Sequence, residues 1–236
     1  MYYVSALMVR PGPRRRRTDA RERPLGRRAQ HKAATRERIV KAALELFQSR
    51  GFAATTTKAI ARKARIAEGT VFNYFPTKED IALHFLEQEV DHAITTVRGD
   101  PKLTEAPLQE RLFALVESQL EYLAPHERFI GAAFVQALTP VSALSPFSER
   151  SQQLQVRYLS FVQELVNDAI ARREIVPAGW WTPQVFWIYY FGVLLFWLHD
   201  TSPGKQQTLA LLDRTLTLGV DLLKRRPRPR GRSSRR

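Results

Sequence analysis

Few residues in this chain are equipped to make or break bonds. It holds five histidines (His31, His84, His92, His126 and His199) and no cysteine. The missing thiols exclude disulfides, thiolate metal sites and cysteine nucleophiles, and they fit a reducing compartment. No histidine belongs to a His-Glu-x-x-His run, and no Gly-x-Ser-x-Gly elbow occurs. The nearest approach to a metal motif is Glu89-x-x-His92 within HFLEQEVDH. A di-iron bundle needs that pair twice and it occurs once, so His84, Glu87 and Asp91 read as the solvated face of an amphipathic helix. The expectation is a protein that is not an enzyme, with no metal and no cofactor.

A second set of residue types gathers between positions 55 and 78: Thr55, Thr56, Lys58, Glu68, Gly69, Thr70, Asn73, Tyr74 and Lys78. Hydroxyl, amide and ammonium groups at this density suit hydrogen bonds to phosphates and base edges. The elements that must position them can be read from spacing. Ala34 to Arg50 forms a helix, with Ile39, Ala43, Leu46 and Phe47 recurring on one face and Gly51 supplying a left-handed cap. Thr56 or Thr57 caps a second helix that carries Ile60, Ala61 and Ala64 inward. After a turn at residues 65–67, Glu68 to Phe75 forms a third, stopped because Pro76 disfavours helical geometry before it. Thr77 then caps a long helix to about Val97, with Asp80 as its capping-box partner.

Two short helices around a tight turn, behind a longer one, describe a helix-turn-helix module. The third helix must be slim enough for the major groove. Val71 and Phe75 point inward toward Ile60, Ala64 and Ile66; Glu68, Thr70, Asn73 and Tyr74 are left outward. Gly69 lets backbone approach DNA closely, and Thr55, Thr56, Lys58 and Lys78 can hold phosphates on either side, with help from amides at helix starts.

Downstream, Gly99-Asp100-Pro101 breaks the chain, and helices are expected at roughly 105–123, 126–138, 148–173, 183–199 and 204–224. The longest apolar run, Val185 to Leu198, is too short to span a bilayer and reads as a buried helix; no membrane partner is expected. The last helix is apolar on two faces. Leu209, Leu212, Leu216, Gly219 and Leu223 form one stripe, and Leu211, Leu218 and Leu222 another. A surface helix needs one stripe, so the second is assigned to a dimer interface together with Trp187, Phe191 and Leu195. Both helices buried in a central core is the other option. Phe113, Phe129, Phe134, Phe147, Tyr158, Phe161 and Phe186 are candidates to line an apolar pocket, or are ordinary core.

The formal charge of +14 is unevenly spread. Residues 1–38 hold 12 Lys and Arg against 3 acids, and residues 39–78 hold 7 against 2. Residues 79–223 hold 10 against 18, and residues 224–236 hold 8 against none. An acidic body therefore lies between basic ends. The organisation read from this is a disordered basic tail (1–32), a DNA-binding domain (33–78), a helical ligand-binding and dimerisation domain (79–223) and a second basic tail (224–236). The first tail is either a DNA-gripping arm or a solvated tail, with a misassigned start and Met8 as the true one as a further option. No signal peptide is evident, because MYYVSALMV has neither basic residues before it nor a small-residue cleavage pattern after it.

The stretch TTTKAIARKARIAEGTVFNYFPTKEDI resembles the N-terminal signature of the tetracycline-repressor-like (TetR/AcrR) family of bacterial transcription regulators, over about residues 33–93. The resemblance implies an all-α fold, with a homeodomain-like helix-turn-helix joined to a helical ligand-binding and dimerisation body. It implies a cytoplasmic bacterial protein, nucleoid-associated when bound: a homodimer on a palindromic double-stranded operator, released by a small molecule. By the same resemblance Thr56 is a phosphate-binding cap, Thr70, Phe72 and Tyr74 are recognition-helix contacts, and Lys78 binds phosphate. The turn departs from the usual Ala-Gly-Val-Ser and reads Ala64-Arg65-Ile66-Ala67, which puts Arg where Gly would accept positive φ and removes a Ser cap. The competing expectation is a non-specific nucleic-acid or membrane-surface binder driven by the tails.

Overall fold

The computed structural model describes residues 26–139, 142–145 and 148–224. The described residues form ten α-helices and no strand: α1 (Arg27–Arg50), α2 (Thr57–Ala64), α3 (Glu68–Tyr74), α4 (Lys78–Gly99), α5 (Pro101–Glu105), α6 (Leu108–Leu123), α7 (Glu127–Ala137), α8 (Glu149–Ala171), α9 (Thr182–His199) and α10 (Gln206–Lys224). The all-α fold expected from periodicity is the fold found. Both basic ends lie mostly outside the described residues. Where residues 27–32 are described, they extend α1, fully exposed, instead of continuing the tail. Arg, Ala, Gln and Lys are good helix formers, and nothing after Gly26 interrupts them.

Local chemistry explains the first four helices. Thr56 Oγ1 accepts from the Ala59 amide, capping α2. Thr77 and Asp80 form the full capping box that starts α4. Gly51 takes φ 89° after α1, and Arg65 takes φ 55° and ψ 49° in the turn, its amide closing on the Arg62 and Ala61 carbonyls. A non-glycine side chain at that geometry costs roughly 1 kcal/mol, and Arg65 is exposed, with no burial to offset it. Arg65→Gly is therefore expected to raise stability by roughly 1 kcal/mol. A melting temperature that stays level or falls would contradict the strain. Ala67 caps α3 with no side-chain hydrogen bond, as its methyl group dictates.

Ile39, Phe47, Ile60, Val71 and Ile81 are fully buried and close the first three helices onto the start of α4. An aromatic cluster continues inward. Phe47 stacks on Phe129 at 5.0 Å, Phe52 lies 4.8 Å from Phe47, and Phe85 meets Phe129 edge-on at 5.9 Å. Around it α1 and α7 are bonded end to end: the Gln48 side chain donates to the Pro125 carbonyl and accepts from the Phe129 amide. In the body α4 packs on α6 and α8, α8 on α9, and α10 on α6 and α9. Arg111, buried on α6, pairs with Asp168 of α8 at 2.5 Å, while Glu174 accepts from the Leu108 amide at the start of α6. The α9–α10 turn is built on Asp200, which accepts from the amides and hydroxyls of both Ser202 and Thr208. Burial alone would raise the pKa of this carboxyl; the four donors overcome that and hold it well below the usual range.

Candidate functional site

Around α2 and α3 the structure sorts the expected contacts into three groups. Thr56, Lys58, Gly69, Phe72 and Asn73 are exposed, and Glu68, Thr70 and Tyr74 are partly so. They share the α2 start and the short α3. Phe72 is 46% exposed, an aromatic ring left in solvent that its own module does not use. A Cβ at Gly69 would meet nothing within 4 Å, so the surface there is open. Glu68 is tied back to the module, because Thr57 Oγ1 donates to its Oε1 at 3.2 Å and couples α2 to α3 directly.

Thr55 and Lys78 are placed elsewhere. Thr55 is 1% exposed, and its hydroxyl donates to the Gly51 carbonyl at 2.8 Å. The Lys78 ammonium donates to the carbonyls of Phe52, Ala53 and Thr55 at 2.8, 3.1 and 3.2 Å and lies 4.8 Å above the Phe52 ring. All three of its protons are engaged, and they tie the first residue of α4 to the α1–α2 loop. Two residues on, Asp80 pairs with Arg150 of α8. The N-terminal turn of α4 is thus clamped on one side by the α1–α2 loop and on the other by α8.

The middle of α4 forms one wall of a partly enclosed, largely apolar cavity of about 90 Å³. Leu83, Leu86, Glu89 and Val90 come from α4, Ile130, Ala133 and Phe134 from α7, and Trp187, Tyr190, Phe191 and Leu194 from α9, with Leu144, Ser151 and Leu154 closing it. Of the aromatic residues expected to line a pocket, Phe134 does so. Phe129, Tyr158, Phe161 and Phe186 are core, Phe113 borders a separate surface groove near α10, and Phe147 lies outside the described residues. Trp187 and Phe191, expected at a dimer interface, turn inward to this cavity; Trp187 meets Tyr158 at 5.4 Å and Phe191 meets Phe134 at 6.0 Å. α9 is apolar on every side, so periodicity does not fix which face turns in. Its outward row is Val185, Ile188, Leu195 and Phe196, and that of α10 is Leu218 and Leu222, with Leu211 half-buried.

Among the described residues the cavity wall holds one carboxyl, Glu89, 3% exposed. Burial drives its pKa up to about 8, and nearby Gln119 and Tyr190 only partly counter this. The Gln119 amide lies close but does not bond in good geometry: its Nε2 and Glu89 Oε1 are both left without a protein partner, while its Oε1 accepts from the Tyr158 hydroxyl at 2.9 Å. Glu89 is absent from the site residues that the sequence suggests. The signal is there nonetheless, since it falls four residues after Phe85 and four before Ala93 on the inward row of α4.

Comparison with known proteins gives both halves of the chain a relation. Residues 39–85 match the family described as "Bacterial regulatory proteins, tetR family", and residues 111–230 match "Tetracyclin repressor-like, C-terminal domain". The uncharacterized HTH-type transcriptional regulator YhgD of Bacillus subtilis (strain 168) is 25% identical over 191 residues, covering 77% of this chain and 94% of that protein. For YerO of the same strain, also described as an uncharacterized HTH-type transcriptional regulator, identity is 29% over 106 residues, covering 44% of this chain and 37% of YerO. The chain thus spans little more than a third of that relative. The structure of Thermus thermophilus FadR, a transcriptional repressor solved in complex with lauroyl-CoA, aligns with 83% of this chain and 100% of its own at 26% identity, with a TM-score of 0.60.

Proposed function

The chain belongs to the tetracycline-repressor (TetR) family of bacterial regulatory proteins, and we propose that it is a homodimeric repressor that leaves a palindromic operator when a small molecule enters the α4 cavity. The observation that carries this is the double attachment of α4. One end is held on the reading head by Lys78, and its middle turns line the cavity. A ligand that prefers a shifted α4 must also prefer a shifted reading head, and by linkage DNA must then disfavour the ligand. Two α3 helices fit successive major grooves only at a separation of about 34–36 Å, so a small displacement of each is enough to lose one half-site.

On this reading α3 enters the groove. Thr70, Phe72, Asn73 and Tyr74 meet base edges and backbone, Gly69 allows close approach, and Thr56 and Lys58 hold phosphate. Lys78 acts through the loop it anchors. Dimerisation uses the outward rows of α9 and α10, where Ile188, Leu195, Leu218 and Leu222 are exposed and Gly192 and Gly219 leave room for close helix approach. The lauroyl-CoA held by Thermus thermophilus FadR supports an apolar body for the effector. A DNA-binding regulator of this kind works in the cytoplasm, on the nucleoid. No helix among the described residues is long and apolar enough to cross a membrane.

The test compares variants on an operator fragment recovered by selection. Asn73→Ala is expected to relax sequence preference, costing about 1–3 kcal/mol on the operator and little on random DNA. Lys58→Ala is expected to weaken both alike and to reduce the salt slope by about one per protomer. Removing residues 1–28 and 225–236 should lower affinity and salt dependence while leaving the preference intact. Loss of all preference on truncation would instead favour tail-driven binding.

A further inference from the structure

We propose that the α4 cavity is selective for an amphiphilic amine, whose alkyl body lies on the apolar wall and whose ammonium donates to the free Oε1 of Glu89. This rests on the cavity being the effector site, and it names the chemistry that site selects.

Glu89 is a carboxyl inside a wall otherwise made almost wholly of Leu, Val, Ile, Ala and aromatic side chains. One of its oxygens has no protein donor, and an unsatisfied buried acceptor is costly to keep. A purely apolar ligand would be better served by Leu or Gln at this position. An anionic headgroup could take one hydrogen bond from the protonated carboxyl, but its own charge would stay unbalanced in the low-dielectric site. A primary ammonium supplies both missing components: a donor for Oε1 and a charge to balance the carboxylate in a low-dielectric site.

Among the described residues, the groups around Glu89 provide no cation of the protein's own to do this. From α6, Gln119 is neutral, and Tyr122 keeps its proton because burial raises its pKa. Tyr158 of α8 and Tyr190 of α9 keep theirs for the same reason. Arg150 and Arg157 of α8 are committed to Asp80 and Asp91. His92, exposed, lies on the Tyr122 ring, and burial lowers the pKa of His126, which meets the Phe85 ring. Glu89 therefore holds its proton near neutrality until a cation arrives. The alkylammonium enters charged, the Glu89 proton leaves to solvent, and the cavity ends with one cation and one anion. The surplus of acidic over basic residues across the body, 18 against 10 in residues 79–223, favours the approach of such a ligand.

The experiment is calorimetric titration of the full chain, without DNA, with octylamine, octan-1-ol and octanoate near pH 7, in two buffers of different ionisation enthalpy. Octylamine is expected to bind at least about tenfold tighter than octanol, in line with one charge-assisted hydrogen bond, and to release about one proton per protomer. In Glu89→Gln the amine should lose about tenfold or more and the proton release should disappear, with octanol affinity unchanged within about threefold. Absence of amine binding, equal affinities for amine and alcohol, equal loss of both in Glu89→Gln, or tightest binding by octanoate would each overturn the proposal. The same compounds are then added to the protein–operator complex. Glu89-dependent amine binding that leaves DNA bound would keep the selectivity and remove the effector role. Release of DNA by octanol or octanoate, independent of Glu89, would keep the effector role and overturn the selectivity.

Discussion

Leu218→Glu is expected to leave each protomer folded but monomeric, and to lower operator affinity at least about 100-fold. Leu218 is 64% exposed on α10, so a carboxylate there is solvated in the isolated protomer and costs little. In a two-fold interface the same residue appears twice. Each copy forfeits about 1.5–3 kcal/mol of leucine burial, and each adds a charge that must be desolvated opposite its twin. Together that is several kcal/mol, enough to dissociate a dimer at working concentration. Ile188→Glu on α9, at a position 71% exposed, should act in the same way. Sedimentation and helical circular dichroism, measured together, separate the outcomes. A folded dimer for both variants would place the interface elsewhere.

Glu89→Gln is expected to stabilise the protein, and by more at pH 8 than at pH 5. The sign follows from the direction in which burial moves the pKa. In the unfolded chain this carboxyl ionises near 4.5, whereas in the folded chain it holds its proton to about 8. Between those values unfolding releases a proton, so stability falls as pH rises, and above about 8 the penalty is constant. A tenfold change in proton affinity is worth about 1.4 kcal/mol, and relaxation around a buried charge reduces the total, giving roughly 3 kcal/mol gained by the amide at pH 8. Below the unfolded pKa both forms are neutral and the difference should nearly vanish. Denaturant titrations of both proteins at the two pH values decide the matter. The same gain at each pH would mean that Glu89 does not carry the proton; a less stable variant at pH 8 would contradict its burial in an apolar wall.

What is legible in the sequence is what short-range chemistry decides. The left-handed Gly51, the Thr77–Asp80 capping box and the inward Val71 and Phe75 follow from neighbours within four residues, as does a threonine cap on α2, which falls to Thr56; the left-handed Arg65 is expected only from the family resemblance. α10, with two stripes of different fate, is mostly readable: Leu212 and Leu216 are buried while Leu218 and Leu222 are exposed, but Gly219, expected on the inward stripe, is exposed too. The hidden features are set at long range. The rotation of α9 cannot be read from a helix apolar on every side, so the sequence points Trp187 and Phe191 outward although they face the cavity. Lys78 looks like any exposed cation until the α1–α2 loop brings three carbonyls to it, 23 to 26 residues back. Glu89 draws notice only as half of a metal pair and not as a cavity residue, because a carboxylate on a helix is usually solvated and its residue type outweighs its inward register.

A two-fold dimer that reads DNA sequence should leave its mark on the DNA it retains. The most direct measurement is selection of bound fragments from bacterial genomic DNA, with excess competitor DNA at physiological salt. One enriched palindrome is expected, with half-sites about one helical turn apart. Retention of unrelated fragments that fades as salt rises, with no enriched sequence, would contradict the claim.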